Sequence, residues 1–127
     1  MDERSVYARL IADLHAARVR GDLPAICRCF SETGTFRIAG ASEGKPIAVT
    51  AEGLQGFRPW LAMMVKAFRV TDYQLLALVI DGARGSAHWS ARIHSKITGI
   101  TVPTELVDLT EFRDGKIVAY TEFFVPR

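Results

Sequence analysis

A chain of 127 residues has room for one substantial hydrophobic core and no second one, so a single domain spanning 1–127 is expected. Apolar residues make up 49% and charged residues 24%, an ordinary balance for a folded globular protein that excludes a disordered chain. The 16 basic and 14 acidic residues are interspersed and leave a net charge of +2. With no basic stripe, binding to nucleic acid or a membrane surface has no support.

The opening Met1-Asp2-Glu3-Arg4-Ser5 is polar and lacks the apolar centre of a secretory signal, which makes the cytoplasm the expected location. Val6, Leu10, Leu14 and Ala17 then recur at helical spacing, with Arg9, Asp13, Ala16 and Arg20 on the opposite side. His15 falls between the two faces and reads as a surface residue. Gly21 ends this helix, and Asp22 caps a short second one through Phe30, with Pro24 in its first turn. Cys27 and Cys29 are too few for a disulfide framework or a closed zinc site and read as free thiols. A brief strand over Thr35 to Ile38 and a loop over Gly40 to Pro46 follow. A third helix runs from Leu54 to about Phe68, interrupted or kinked near Pro59.

The second half reads as strands. Val70 to Ile80 stops at Asp81-Gly82, and Ser86 to Lys96 stops at Thr98-Gly99. Ile100 to Phe112 ends at Arg113-Asp114-Gly115, a three-residue hairpin loop with glycine last, and Lys116 to Val125 closes the chain. The longest apolar run, Leu75 to Ile80, is far short of the roughly 20 residues that span a bilayer. Helices followed by an antiparallel meander define the α+β class.

Three stretches carry a family likeness. They are Gly21-Asp22-Leu23 through Phe30 with Gly34-Thr35-Phe36, His88-Trp89 leading to Thr98-Gly99, and Phe112-Arg113-Asp114-Gly115-Lys116-Ile117 to Glu122-Phe123-Phe124. Their order and spacing resemble the nuclear transport factor 2-like superfamily, in particular its SnoaL-like polyketide cyclases, ketosteroid isomerases and limonene epoxide hydrolases. That resemblance implies a cystatin-like α+β roll, a cone-shaped curved antiparallel sheet wrapped around the N-terminal helices and enclosing a small-molecule pocket. Homodimers are common in the superfamily, and some members bind or scaffold without catalysing anything.

Strand alternation sorts the polar side chains onto faces. One face of the strand from Ser86 holds His88, Ser90, Arg92 and His94, opposite Trp89, Ala91 and Ile93. Leu106, Asp108 and Thr110 share a face of the next strand, and Tyr120, Glu122 and Phe124 share a face of the last. In-register pairing through tight hairpins sets His88 near Asp108, and Asp108 near Tyr120 or Glu122. Two carboxyls and an imidazole in a dry cavity would have their proton affinities pushed apart, as acid–base chemistry needs. The opposite arrangement is also open: the apolar face could be the core and the polar face solvated, and a slip of one residue would break the cluster.

The resemblance favours the polar face inside. Asp108 matches the hydrogen-bond-donating aspartic acid of the isomerases, and Glu122 the last-strand acid of the epoxide hydrolases. Arg92 and His94 resemble those hydrolases' Arg-x-Asp pair, with histidine in place of aspartate. The isomerases' base and helical tyrosine would fall at Ile38 and Leu14, so steroid isomerisation is not expected. The expected protein therefore binds a small apolar metabolite. If catalytic, it would be a cofactor-free cyclase, isomerase or hydrolase with Asp108 as donor, Glu122 or His94 as base, and Arg92 and Tyr120 orienting. His88, Trp60, Met63, Met64 and Phe124 would line the pocket. No metal is expected. An outer face of Trp89, Ile93, Val107, Leu109 and Phe123 would join two copies. The alternative is a non-catalytic ligand-binding or dimerising module.

Overall fold

In the computed structural model, which describes residues 2–42 and 44–126, the helices form where the capping signals fall. The carboxylate of Asp2 accepts the Ser5 amide at 2.8 Å and starts α1 (Glu3–Arg20). Gly21, at φ 69°, ends it in the left-handed cap conformation that favours glycine. Asp22 accepts the Ala25 amide at 3.1 Å to start α2 (Leu23–Arg28). Cys27 and Cys29 are buried free thiols, and burial pushes the Cys29 thiol up to about 11, which keeps it inert.

The chain then runs β1 (Phe30–Ser42), β2 (Lys45–Glu52), α3 (Leu54–Ala67), β3 (Phe68–Asp81), β4 (Arg84–Ser95), β5 (Thr101–Arg113) and β6 (Lys116–Pro126). The expected loop over Gly40 to Pro46 is instead the end of a β-hairpin, with Ala41 opposite Pro46; residue 43 lies outside the described residues. Gly40 is needed for a close approach rather than for a turn. A Cβ there would sit 2.6 Å from the Phe124 ring and carbonyl oxygen. α3 continues through Pro59, and its buried residues Phe57, Leu61 and Ala67 face the core.

The six strands form one curved, unclosed sheet in the order β2-β1-β6-β5-β4-β3. Every neighbouring pair is antiparallel except β1 and β6, which run parallel, so the sheet is mixed. Tyr7, Ile11, Leu14, Phe36, Phe57 and Ile117 fill the concave side between sheet and helices. Trp89, Ala91, Val70 and Leu106 make a second apolar cluster, with Ile93 and Phe124 against it.

The pairing of β5 with β6 is the one the Asp114-Gly115 turn predicts: Asp108 stands opposite Glu122 and Thr110 opposite Tyr120. The pairing of β4 with β5 is shifted by one residue from the expected register. Ala87 stands opposite Asp108, His88 opposite Val107 and Trp89 opposite Leu106, because the connection closes with His94 against Thr101. One residue of shift turns a whole strand over. Trp89, Ala91 and Ile93 therefore point inward, and His88, Arg92 and His94 lie on the outer face with Val107 and Leu109.

Candidate active site

The inward faces of β5 and β6 carry Asp108, Tyr120 and Glu122 into the interior, where all three are buried. Helix α1 meets them with two polar side chains. His15 and Arg18 lie one helical turn apart, four and seven residues beyond buried Ile11, so they belong to the stripe that faces the sheet. His15 Nε2 lies 2.8 Å from Asp108 Oδ2, and its Nδ1 lies 2.6 Å from the Tyr73 hydroxyl of β3. Arg18 donates to Glu122 Oε2, which also accepts the Tyr120 hydroxyl at 2.7 Å. The Arg18 guanidinium sits 5.1 Å above the centre of the Trp89 ring, and the His15 ring packs on the same indole.

Burial sets the proton affinities. It pushes Glu122 up to about 7, with Arg18 pulling against it and the nearby Asp108 adding to it. It raises Asp108 as well, against the charge of Arg18 and hydrogen bonding from Glu122, Trp89 and Tyr120. His15 is held down to about 4, by burial first and then by the Arg18 charge. Tyr120 is raised well above the usual phenol range, chiefly by burial. Glu122 holds Arg18 in its charged form despite its burial. A dry cluster with one permanent cation is neutral when the two carboxyls share one proton and His15 carries no charge. The Trp89 N–H lies near enough to favour Asp108's ionised form, yet Trp89 Nε1 and Asp108 Oδ1 both lack a partner at hydrogen-bond distance. Unfilled bonding capacity thus remains inside the cluster.

Of the residues expected from sequence, Asp108, Tyr120 and Glu122 come together, with Phe124 half-buried beside Trp89. The others do not join them. His88 Nε2 pairs with Glu105 at 2.7 Å, His94 Nδ1 with the Thr101 hydroxyl at 2.8 Å, and Arg92 Nε lies 3.8 Å from Asp72, all on the outer side. Trp60 and Met63 are exposed on α3, while Met64 packs against the main core. His15, expected at the surface, is buried, because the α1 stripe that faces the sheet is Tyr7, Ile11, Leu14, His15 and Arg18 rather than the one through Val6 and Leu10. Leu14 and Ile38 hold apolar side chains at the positions where the isomerase resemblance would need a tyrosine and a base. Neither supplies acid–base chemistry.

An apolar groove of about 550 Å³ runs between α1 and β3, lined by Ala8, Ile11, Ala12, Leu75 and Leu78, and reaches His15 and Tyr73. Among the described residues no three His, Cys, Asp or Glu side chains are arranged to hold a metal ion. No described helix is long and apolar enough to cross a membrane.

N-terminal helices backing a curved, unclosed mixed sheet make this a nuclear transport factor 2-like α+β domain. The chain belongs to the SnoaL-like domain family, whose model matches residues 11–120. Solved structures share the fold. A proposed isomerase from Bacillus subtilis superposes with TM-score 0.85 at 19% identity, covering 98% of this chain and 89% of that one. A Catenulispora acidiphila protein of ketosteroid isomerase-like fold, solved with trimethylamine, gives 0.71 at 15% identity, covering 89% and 82%. An LEH-like epoxide hydrolase from M. tuberculosis gives 0.71 at 13% identity, covering 94% and 83%. Among functionally curated proteins no sequence matches.

Proposed function

We propose that this protein binds a small, largely apolar molecule and moves a proton on it without a cofactor, in isomerisation, cyclisation or hydration chemistry. The observation that carries the reading is the pair of buried carboxyls, Asp108 and Glu122, both raised by burial around a single permanent cation. At neutral pH such a pair holds one proton to give and one carboxylate to receive, which is what general acid–base catalysis requires. Arg18 is placed to balance an anion that forms beside it. The apolar groove and the family's isomerase-like and epoxide hydrolase relatives support a small-molecule ligand. Two free, buried thiols suit a reducing cytoplasm.

A second reading has its own observation. Most of the cluster's polar side chains bond to one another, and His15, Asp108, Tyr120 and Glu122 are buried, as in a purely structural polar core of a ligand-binding or dimerising module. NMR titration of carboxyl carbons, assigned with Asp108→Asn and Glu122→Gln, separates the two. The acid–base reading expects at least one of these carboxyls to titrate well above the usual value of about 4. Both at ordinary values would sink it. In either case we propose a homodimer through the outer face, where Val107, Leu109 and Phe123 leave apolar surface in solvent. Light scattering at low micromolar concentration tests this; a monomer there rules it out.

A further inference from the structure

The β3 strand breaks its own regularity to reach this cluster. Its pairing with β4 jumps between Thr71–Arg92 and Gln74–Ser90, and Asp72 takes φ 52°. A residue with a side chain pays roughly 1–2 kcal/mol for that left-handed conformation. Bulges commonly re-aim a neighbouring side chain beside a site, and here the re-aimed residue is Tyr73. Its hydroxyl reaches His15 Nδ1 at 2.6 Å, and its ring packs 5.6 Å from Trp89 and edge-on to His15. Outside, the exposed Arg92 Nε lies 3.8 Å from Asp72. Asp108 and His15 are closed off from solvent, whereas Tyr73 is only half-buried and forms part of the groove wall.

We propose that Tyr73 is the group through which the cluster exchanges a proton with an oxygen of a ligand in the α1–β3 groove, along the line Tyr73–His15–Asp108. This rests on the acid–base reading above. In the donor direction, the ligand's carbonyl oxygen takes the Tyr73 phenolic proton. The phenolic oxygen then takes the Nδ1 proton of His15, and His15 Nε2 takes the proton of Asp108. The ligand oxygen gains one proton and Asp108 is left as carboxylate. His15 changes tautomer and is neutral before and after, which is the only state its burial favours. Run backwards, the same line takes a hydroxyl proton from a ligand and returns it to Asp108. The ligand class is a small molecule with an apolar body and one carbonyl or hydroxyl oxygen. Ala8, Ala12, Leu75 and Leu78 supply apolar walls, and a volume of about 550 Å³ suits a small molecule.

The test uses 4-nitrophenol, an apolar ring with one hydroxyl, titrated into the full chain labelled with ¹³C in tyrosine and ¹⁵N in histidine. Saturable shifts are expected at the Tyr73 ring carbon bearing oxygen and at both His15 ring nitrogens. Tyr73→Phe keeps the ring packing on Trp89, and should weaken nitrophenol binding at least tenfold and abolish the His15 response. In the free protein, Asp108→Asn should change the His15 tautomer signature. Equal affinity in wild type and Tyr73→Phe overturns the proposal, as do shifts confined to Tyr7, Tyr120, His88 or His94, or no binding at millimolar probe. In those cases carboxyls that still titrate high leave the acid–base reading standing. Tyr73-dependent binding with both carboxyls at ordinary values would instead leave a bare binding groove and overturn the relay.

Discussion

Two histidine–carboxylate pairs sit on opposite sides of the same sheet. On the concave side, His15 lies 2.8 Å from Asp108; on the outer side, His88 lies 2.7 Å from Glu105. The lengths hardly differ, but the inner side chains are 2% and 0% exposed and the outer ones 38% and 39%. Water and salt screen the outer pair, so its attraction is small. The inner pair has no water to fall back on. There the protein decides who holds the proton, and the decision extends through Arg18 and Glu122. Distance alone would have ranked the two pairs equal.

The contrast is broken most forcefully at Glu122. Glu122→Gln removes the carboxylate that bonds Arg18 and leaves only the more distant Asp108 to balance a guanidinium that does not lose its proton. A loss of about 3–5 kcal/mol is expected in urea unfolding at pH 7. Arg18→Met should cost clearly less, because Glu122 can then take up a proton and become neutral. Equal losses would show that the two groups do not hold each other as described.

A middle-sized effect tests the sign of the proton affinities. Glu122 is raised from 4.5 to about 7, so the stability it contributes is full below pH 4.5 and is lost as pH rises to 7. Asp108, also raised, acts in the same sense. His15 is lowered from 6.5 to about 4, so its contribution is full above pH 6.5 and is lost as pH falls to 4. Between pH 4.5 and 6.5 the trends oppose, and wild type should show a shallow profile. His15→Asn removes one side of the balance, so its stability should fall more steeply as pH rises, by up to about 1.4 kcal/mol per pH unit. A mutant profile parallel to wild type contradicts the assigned shifts.

The smallest effect belongs to the outer pair. His88→Ala and Glu105→Ala should each change stability by no more than about 1 kcal/mol, and less at high salt. A larger, salt-insensitive loss would place this pair inside the proposed dimer contact rather than at its solvent-exposed rim.

Parts of this arrangement were legible before any coordinates. Alternation within β5 and β6, joined by the tight Asp114-Gly115 turn, fixes Asp108, Tyr120 and Glu122 on one face. The connection from β4 to β5 carries no comparable signal for its length, so His88 and Trp89 were given each other's faces. β2 went unread because it is an edge strand with mostly exposed side chains and so lacks an alternating apolar pattern. His15 and Arg18 were detectable as polar residues in phase with Ile11, but the competing stripe through Leu10 obscured them. The Asp72 bulge that delivers Tyr73 is a property of the assembled sheet, since neither residue type announces it.

The parallel contact between β1 and β6 also bears on the order in which the molecule can form. β6 follows every other element in the sequence, yet it lies third in the sheet. Without it, the β1–β2 hairpin and the β3–β4–β5 meander each present an unpaired edge, and no strand links them. Open edges invite pairing with other chains, and contacts this distant in sequence are slow to form. A chain ending before residue 116 would therefore hold at most two half-sheets with bare edges. Addition of residues 116–126 closes both edges at once and brings Tyr120 and Glu122 to their partners in the same step.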